Sequence, residues 1–303
     1  MNPSVNWQPT FIGIGAQKCA TTWCWHALKT HPNICMAQPK ELDFFNNNYH
    51  RGMKWYQEHF SSPDSPVRGE ISPLYLYDTA VVNRISMHCP KARILVLLRN
   101  PYERAISNLL HDIRDMDGGI ASTAKNRAWQ IVQRDDKYIE RSCYAQALKP
   151  YFDTMPRAQI KVLYYEDLIN NSRNFLENLF TAVGANPYYS PHDIPKAANR
   201  TQDYRSLILY KAIREISQLV KSRPQSRRWM EWIYANTLWR ERILSWLTVD
   251  RGRPQWDFNM IFGAAAKDRI SSDMQQLQVD MSLAIPESWH HSSHDVAERT
   301  HAA

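Results

Sequence analysis

The sequence predicts an α/β fold of three layers, in which a central parallel sheet is flanked by helices and followed by a helical C-terminal extension. Three short runs, each almost continuously apolar, predict strands that are covered on both faces: Thr10–Ile14, Arg93–Leu98 and Ile160–Tyr165. Val67–Ile71 predicts a fourth, less apolar strand. Segments of helical periodicity alternate with these runs, which is typical of parallel strands joined by helices.

The predicted helices of the α/β part lie between the strands and after the last of them. They are Thr22–Lys29, Gly52–Phe60, Thr79–His88, Tyr102–Arg114, Arg141–Phe152 and Ser172–Val183. The strand pattern stops after about Asn186, and three segments rich in Trp and Arg predict further helices. These are Leu207–Val220, Arg227–Ala235 and Leu238–Leu247.

We expect one domain over residues 1–266, with its α/β core at about 10–185 and its helical part at about 186–266. Residues 267–303 contain many Ser, Gln, Asp and His and few large apolar side chains, so they predict a loosely ordered tail. The histidines of this tail are interpreted as solvated rather than as a metal cluster. They are His290, His291, His294 and His301.

Composition excludes several classes of protein. With 44% hydrophobic residues the chain is not generally disordered. No window approaches about 18 uncharged apolar residues, and the first ten residues lack the features of a secretory signal, so neither a membrane span nor such a signal is expected. The five cysteines are odd in number and form no C-x-x-C pair, which predicts buried free thiols in a reducing cytoplasm.

Net charge indicates an anionic partner. Lys and Arg number 37 against 30 for Asp and Glu, a balance of +7. This balance does not distinguish a nucleotide from a polyanionic sugar, a nucleic acid or a membrane surface. A basic protein that binds polyanions without catalysis therefore remains one interpretation.

The first strand runs into a turn that predicts an anion site. Phe11–Ile14 is followed by Gly15-Ala-Gln-Lys-Cys-Ala-Thr-Thr22 and then by a helix, so backbone N–H groups converge at the helix start. Lys18 supplies a charge, and Thr21 and Thr22 supply hydroxyls. The segment lacks the Gly-Lys-Ser/Thr triplet of the nucleoside triphosphate loop, so it is not that of an ordinary ATPase.

A second turn points to a nucleotide bound without magnesium. The strand Ile94–Leu98 ends in Arg99, where an ATP-dependent phosphotransferase usually places an Asp that holds the metal ion. A guanidinium pairs with phosphate and repels a metal ion. On the next helix Ser107 and His111 are four residues apart and share a face, so we expect Arg99 and Ser107 to bind one phosphate. A phosphotransferase of related fold is the second enzymatic interpretation.

Together these segments resemble the sulfotransferases that use 3′-phosphoadenosine 5′-phosphosulfate (PAPS). Gly15–Thr22 is similar to their 5′-phosphosulfate loop, Arg93–Ser107 to their 3′-phosphate motif, and Cys143–Asp167 also matches. Pro39–Phe45 and Tyr49–Tyr56 are similar to the heparan sulfate N- and 3-O-sulfotransferase branch. The sequence departs from the pattern at Ala20, where the family loop usually has Gly, and in lacking that branch's late Lys-Gly-Arg loop.

The resemblance covers roughly residues 11–184 and implies a P-loop-like fold and a metal-independent reaction. A sulfuryl group would pass from PAPS to a hydroxyl or amine of a carbohydrate or small metabolite, with release of adenosine 3′,5′-bisphosphate. Nucleic acid is not an expected partner, because the Arg- and Trp-rich helices read as a packed subdomain.

The resemblance also implies roles for individual residues. Lys18 would stabilise the transferring group and the departing phosphate, and either Glu41 or His111 would be the general base. Donor-binding residues would be Gln17, Lys18, Cys19, Ala20, Thr21, Thr22, Trp23, Arg99, Ser107 and Arg200. Acceptor-binding residues would be Lys40, Glu70, Trp55 and Tyr75. Core packing is the alternative for the two aromatic residues, and a strand-to-turn role is the alternative for the carboxylate.

Overall fold

The computed structural model describes residues 7–117, 124–191, 203–204, 248–249 and 256–290. The chain forms two compact units. Of the described residues, the first comprises 7–105, 136–191 and 257–290, and the second comprises 106–117, 124–135, 203–204, 248–249 and 256.

The first unit is built on a parallel five-stranded sheet with the order β2-β3-β1-β4-β5. Its strands are β1 (Phe11–Gly15), β2 (Ile34–Met36), β3 (Val67–Ile71), β4 (Arg93–Leu98) and β5 (Ile160–Tyr164). All four predicted strands are confirmed. The prediction missed β2, because three residues are too short to show a pattern.

Helices flank the sheet of the first unit. The described part of the second unit consists of helices and one short strand pair, and the helices of both units are given together. They are α1 (Thr21–Thr30), α2 (Gly52–Gln57), α3 (Thr79–His88), α4 (Pro101–Asp117), α5 (Ala124–Val132), α6 (Lys137–Glu140), α7 (Tyr144–Thr154), α8 (Tyr165–Asn170), α9 (Ser172–Val183), α10 (Phe258–Phe262) and α11 (Ala264–Val279). Single 3₁₀ turns are Tyr49–Arg51, Tyr75–Tyr77, Arg157–Gln159 and Glu287–His290. In the second unit β6 (Asp203–Tyr204) pairs antiparallel with β7 (Thr248–Val249).

Strand order creates a crevice between β1 and β4. The chain leaves β1 toward β2 on one side of the sheet and leaves β4 toward β5 on the other. The loops at the carboxyl ends of two such strands diverge, and ligands of open α/β sheets bind in the gap between them. The backbone N–H of Ala16 donates to Leu97 O at 2.7 Å. The two turns that the sequence singled out therefore adjoin each other.

The core follows the predicted apolar positions. Phe11, Ile12, Ile94 and Val96 are fully buried, as expected of strands covered on both faces. In the second unit α4 buries its predicted apolar stripe, which consists of Ile106, Leu109, Leu110 and Ile113. All five cysteines are buried and unpaired, as predicted.

Residues 264–290 belong to the first unit, and the prediction of a loosely ordered tail is wrong for residues 267–290. Helix α11 buries Ile270, Met274 and Leu277, which follow one face, and Trp289 beyond it is fully buried. The carboxylate of Asp273 accepts the backbone N–H groups of Ala145 and Gln146 at 2.9 and 3.1 Å. Three apolar side chains on one face are enough to dock this helix, and the polar residues between them concealed the pattern.

Some predictions fall outside the described residues. These are the three Trp- and Arg-rich helices between 207 and 247, Arg200, and the histidines after residue 290. None of the described helices combines the length and the apolar character needed to cross a bilayer.

Candidate active site

The turn after β1 curls back over the carboxyl edge of the sheet because three of its residues have positive φ. These are Gly15 at 145°, Lys18 at 70° and Ala20 at 63°. A Cβ atom on Gly15 would lie 2.7 Å from Pro73 O, so this position accepts only glycine. The left-handed conformations of Lys18 and Ala20 are uncommon for residues with a Cβ. Strained backbone conformations of this kind are typical of turns that hold a ligand.

Helix α1 begins directly after this turn. Within the described residues no side chain caps its N-terminus, and its first turn contains no acidic residue. The N–H groups of the first turn lack partners inside a helix and carry partial positive charge. Thr21 is buried and Thr22 is exposed at this end. The end of α1 is therefore suited to an anion.

Cys19 belongs to the same turn, and its side chain is fully buried. Its Sγ is 3.8 Å from Tyr144 Oη. Burial raises the pKa of Cys19 to about 12, although the Arg104 guanidinium acts in the opposite direction. The side chain is therefore a neutral thiol at physiological pH and shapes the turn rather than acting as a nucleophile.

Arg99 directly follows β4 and is only 6% exposed. Its Nη2 donates to Glu103 Oε2 at 2.5 Å, and its guanidinium carbon lies 4.4 Å from the centre of the Tyr165 ring. Its Nε is buried without a hydrogen-bond partner among the described residues. Buried N–H groups are normally hydrogen-bonded, and a phosphate oxygen is a suitable acceptor for this guanidinium N–H.

Three distant segments hold the turn that carries Arg99. Tyr144 Oη donates to Arg99 O at 2.9 Å, and Asn100 N–H donates to Glu166 Oε1 at 2.8 Å. The side-chain amide of Asn100 donates to Ser288 O at 3.3 Å. Because this turn is fixed from α7, α8 and the Glu287–His290 segment, the guanidinium is held in place before any ligand arrives.

A cavity of about 400 Å³ is connected to the first turn through Arg141. Arg141 lines it and donates from Nη1 to Gln17 Oε1 at 3.2 Å, and Tyr77 Oη donates to Arg141 O at 3.0 Å. Other polar lining residues are Asp78, Lys137, Glu140 and Gln146. The cavity therefore adjoins Gln17 of the turn.

A second loop, after β2, carries the predicted base. Glu41 has a φ of 62°, is 49% exposed, and forms an ion pair with Lys40. Burial raises the pKa of Cys24, and the charge of Lys40 acts in the opposite direction, so Lys40 lies near the first turns of α1.

A buried carboxylate lies beneath this loop. Glu70 is 1% exposed, and its two oxygens accept from Ser72 Oγ and Tyr75 Oη, both at 2.8 Å. Burial raises the pKa of Glu70 to about 7, and the two hydroxyl groups limit the rise. The site therefore has an exposed carboxylate at Glu41 above a buried carboxyl group at Glu70.

Comparison with known proteins decides the family. Residues 8–201, well over half of the chain, match the model described as the sulfotransferase domain. The chain belongs to the sulfotransferase domain family. It is 27% identical over 199 residues to bifunctional heparan sulfate N-deacetylase/N-sulfotransferase 3 of Mus musculus, covering 60% of this chain and 23% of that protein. It is 26% identical over 180 residues to heparan sulfate glucosamine 3-O-sulfotransferase 3A1 of the same species, covering 58% and 46%.

Two further matches extend this picture. Over 103 residues the chain is 35% identical to membrane-associated sulfotransferase kil1 of Dictyostelium discoideum, covering 33% of this chain and 22% of that protein. A solved sulfotransferase from Alicyclobacillus acidocaldarius superposes with a TM-score of 0.54 at 26% identity, covering 62% of this chain and 85% of that one. The chain thus spans less than half of these curated relatives. The family resemblance and the P-loop-like α/β fold are confirmed.

Within this sulfotransferase domain the predicted donor-binding residues divide by exposure. Gln17 and Lys18 are half-buried and Thr22 is exposed, so their side chains can reach a ligand. Trp23 is buried with its ring 5.7 Å from that of Phe175. The side chains of Trp23 and Cys19 therefore serve the core, and only their backbone groups are available to a donor.

Two predicted residues of α4 lie in the second unit. Ser107 is half-buried there. His111 accepts from Arg114 Nη2 through Nδ1 at 2.8 Å, and its Nε2 lies 3.5 Å from Asp115 Oδ2. Both ring nitrogens thus face charged side chains of the same helix. The roles of Ser107 and His111 stay predictions.

The structure separates the predicted acceptor-binding residues. Tyr75 and Glu70 are buried and hydrogen-bonded to each other, and their roles as acceptor contacts stay predictions. Trp55 is half-buried, with the Arg51 guanidinium 4.7 Å from its ring centre. Sequence reasoning missed Arg141, although it lies only two residues before the Cys143-Tyr-Ala segment that resembles the family.

Proposed function

We propose that this domain transfers the sulfuryl group of PAPS to an acceptor and releases adenosine 3′,5′-bisphosphate. One observation carries the proposal. Two adjoining turns suited to anions end β1 and β4, and the second holds a buried guanidinium whose Nε has no partner among the described residues. A donor with phosphate groups at both its 3′ and 5′ positions matches two adjacent sites.

The two turns suit different ends of the donor. Arg99 would bind the 3′-phosphate, because a guanidinium offers several fixed donors to a phosphate. Lys18 and the N–H groups of α1 would bind the 5′-phosphosulfate, because free N–H groups at a helix start bind anions. The flexible ammonium of Lys18 can also contact the phosphate oxygen that gains negative charge as its bond to sulfur breaks. Family membership supports both assignments.

Glu41 is the proposed base. Its carboxylate would take the proton from the acceptor hydroxyl as the acceptor oxygen bonds to sulfur and the bond from sulfur to the 5′-phosphate oxygen breaks. The ion pair with Lys40 is partly exposed, and such pairs contribute about 0–1 kcal/mol, so an acceptor can displace it. Lys18 would offset the charge left on the phosphate.

A carbohydrate is the proposed acceptor class. Two relatives are named for heparan sulfate, and the lining of the cavity beside Gln17 includes two carboxylates, one amide and two cations, which suit hydroxyl-rich ligands. The net charge of +7 favours an acceptor that is itself anionic. A small metabolite is the second candidate.

A transfer assay with labelled PAPS tests the proposal. The protein is incubated with desulfated heparan-type glycans, neutral oligosaccharides, phenols and aliphatic alcohols, and labelled products are counted. We expect transfer to a glycan, and a much lower rate with adenosine 5′-phosphosulfate, which lacks the 3′-phosphate. Absence of transfer to every acceptor would contradict the proposed reaction. Equal rates with both donors would contradict the role of Arg99.

We also propose that the domain works in a reducing compartment such as the cytoplasm. Support comes from five cysteines that are all buried and unpaired. Alkylation of denatured protein taken rapidly from cells should modify all five thiols. A stoichiometric disulfide would contradict this proposal.

A further inference from the structure

The loop that presents Glu41 has a strained backbone. Glu41 and Asp43 both have positive φ, 62° and 47°, and neither is glycine. Left-handed conformations at such residues cost about 1 kcal/mol or more each, so they persist only where surrounding contacts require them. Something in the structure must therefore hold residues 41–45 in this shape.

Two buried hydroxyl groups supply those contacts. The backbone N–H of Asp43 donates to Ser72 Oγ at 3.1 Å, and the backbone N–H of Phe45 donates to Tyr75 Oη at 3.1 Å. Both hydroxyls are in turn oriented by Glu70, to which each donates its own proton. Because both hydroxyl protons point to Glu70, the lone pairs of the two hydroxyl oxygens face the N–H groups of the loop. Side chains around it also include Asp43, Tyr56 and Cys89.

We infer that Glu70, Ser72 and Tyr75 form a positioning network that fixes the conformation of residues 41–45 and so aims the Glu41 carboxylate. The inference rests on the proposed function, since it concerns the base of that reaction. Each hydroxyl can accept a backbone N–H because its proton is committed to the carboxylate. Removing either hydroxyl leaves a buried N–H without its partner and frees the loop.

Ser72→Ala and Tyr75→Phe test the network with little change in volume. We expect kcat to fall about 10- to 100-fold in each, because a small displacement of a catalytic group costs about that much, while the donor Kd changes less than about twofold. Tyr189→Phe is the matched control. It removes another partly buried hydroxyl, which donates to Thr30 O at 2.9 Å at the far end of α1, and it should keep the wild-type rate.

The same substitutions in a Glu41→Gln background separate positioning from general damage. If the network acts through Glu41, Ser72→Ala should lower the residual rate less than about twofold there. An equal loss in both backgrounds would overturn the inference, and so would a Glu41→Gln enzyme with the wild-type rate. Hydrogen exchange gives a readout without turnover: the Asp43 and Phe45 amides should lose protection in both network variants and keep it in Tyr189→Phe.

These outcomes are distinguishable from failure of the proposed function. If the wild-type chain transfers no sulfuryl group at all, the proposed reaction fails, and the exchange measurement still decides whether the network holds the loop. If the wild type is active and amide protection is unchanged in Ser72→Ala and Tyr75→Phe, the positioning network fails alone.

Discussion

The donor side and the acceptor side of the site are built differently. On the donor side, buried or half-buried cations are held by groups from distant segments, as Arg99 is by the ring of Tyr165 and by the hydroxyl of Tyr144 on its backbone carbonyl. On the acceptor side, the charged Glu41 is exposed, and its loop is held by Ser72, whose hydroxyl is in turn oriented by the buried Glu70. We therefore expect donor-side changes to alter affinity for the nucleotide and acceptor-side changes to alter the rate.

The largest expected effect is on the acceptor side. Glu41→Gln removes the proposed base while keeping its size, and we expect kcat to fall about 10² to 10⁴-fold with the donor Kd unchanged. His111→Ala is the comparison variant and should cost less. If His111→Ala abolished turnover without loss of donor binding while Glu41→Gln kept its rate, the base would be His111. Steady-state kinetics and calorimetry provide both readouts.

Trp289→Ala tests whether the C-terminal segment is docked against the elements of the donor side. The Trp289 ring is fully buried, 5.5 Å from the ring of Tyr164 and 6.0 Å from that of Tyr144. Truncating a buried Trp costs about 3–5 kcal/mol, so chemical denaturation should show a loss of that size. Tyr188→Ala removes an aromatic ring that is 87% exposed and should change stability by less than about 0.5 kcal/mol. Equal effects would show that Trp289 is not docked.

Glu70→Gln probes the buried charge of the acceptor side. The pKa of Glu70 rises from its ordinary 4.5 to about 7, so between these pH values the folded state keeps a proton that the unfolded chain has lost. The Glu70 contribution to the free energy of unfolding should therefore fall as pH rises through that window, by at most roughly 3 kcal/mol, and stay level above it. Glu70→Gln should flatten that slope. An unchanged slope in denaturation experiments from pH 4.5 to 8 would contradict it.

Arg99→Ala should act on the donor side alone. Losing a charge-assisted pair should weaken binding of PAPS and of adenosine 3′,5′-bisphosphate together, by about 2 kcal/mol or roughly 30-fold in Kd. Arg93→Ala, at the opposite and exposed end of β4, is the control and should bind both nucleotides normally. Calorimetry that finds unchanged affinity in Arg99→Ala would remove this residue from the site.

The donor side could be predicted from the sequence more completely than the acceptor side. The donor turns follow strands whose apolar runs are local signals, so Lys18 and Arg99 could be found from neighbouring residues. The contacts that hold the Arg99 turn join residues up to 188 positions apart, such as Asn100 and Ser288. Local sequence patterns cannot predict contacts between residues so far apart in the chain. The Glu70 network was missed for a related reason: Ser72 and Tyr75 look like an ordinary turn until β3 is placed under the loop that follows β2.

Binding of adenosine 3′,5′-bisphosphate to the wild-type protein in EDTA tests the central claim most directly. The account predicts micromolar or tighter binding that is independent of magnesium, and binding of adenosine 5′-monophosphate that is at least about 30-fold weaker because it lacks the group for Arg99. Equal affinity for the two nucleotides, or binding that appears only when magnesium is added, would contradict it.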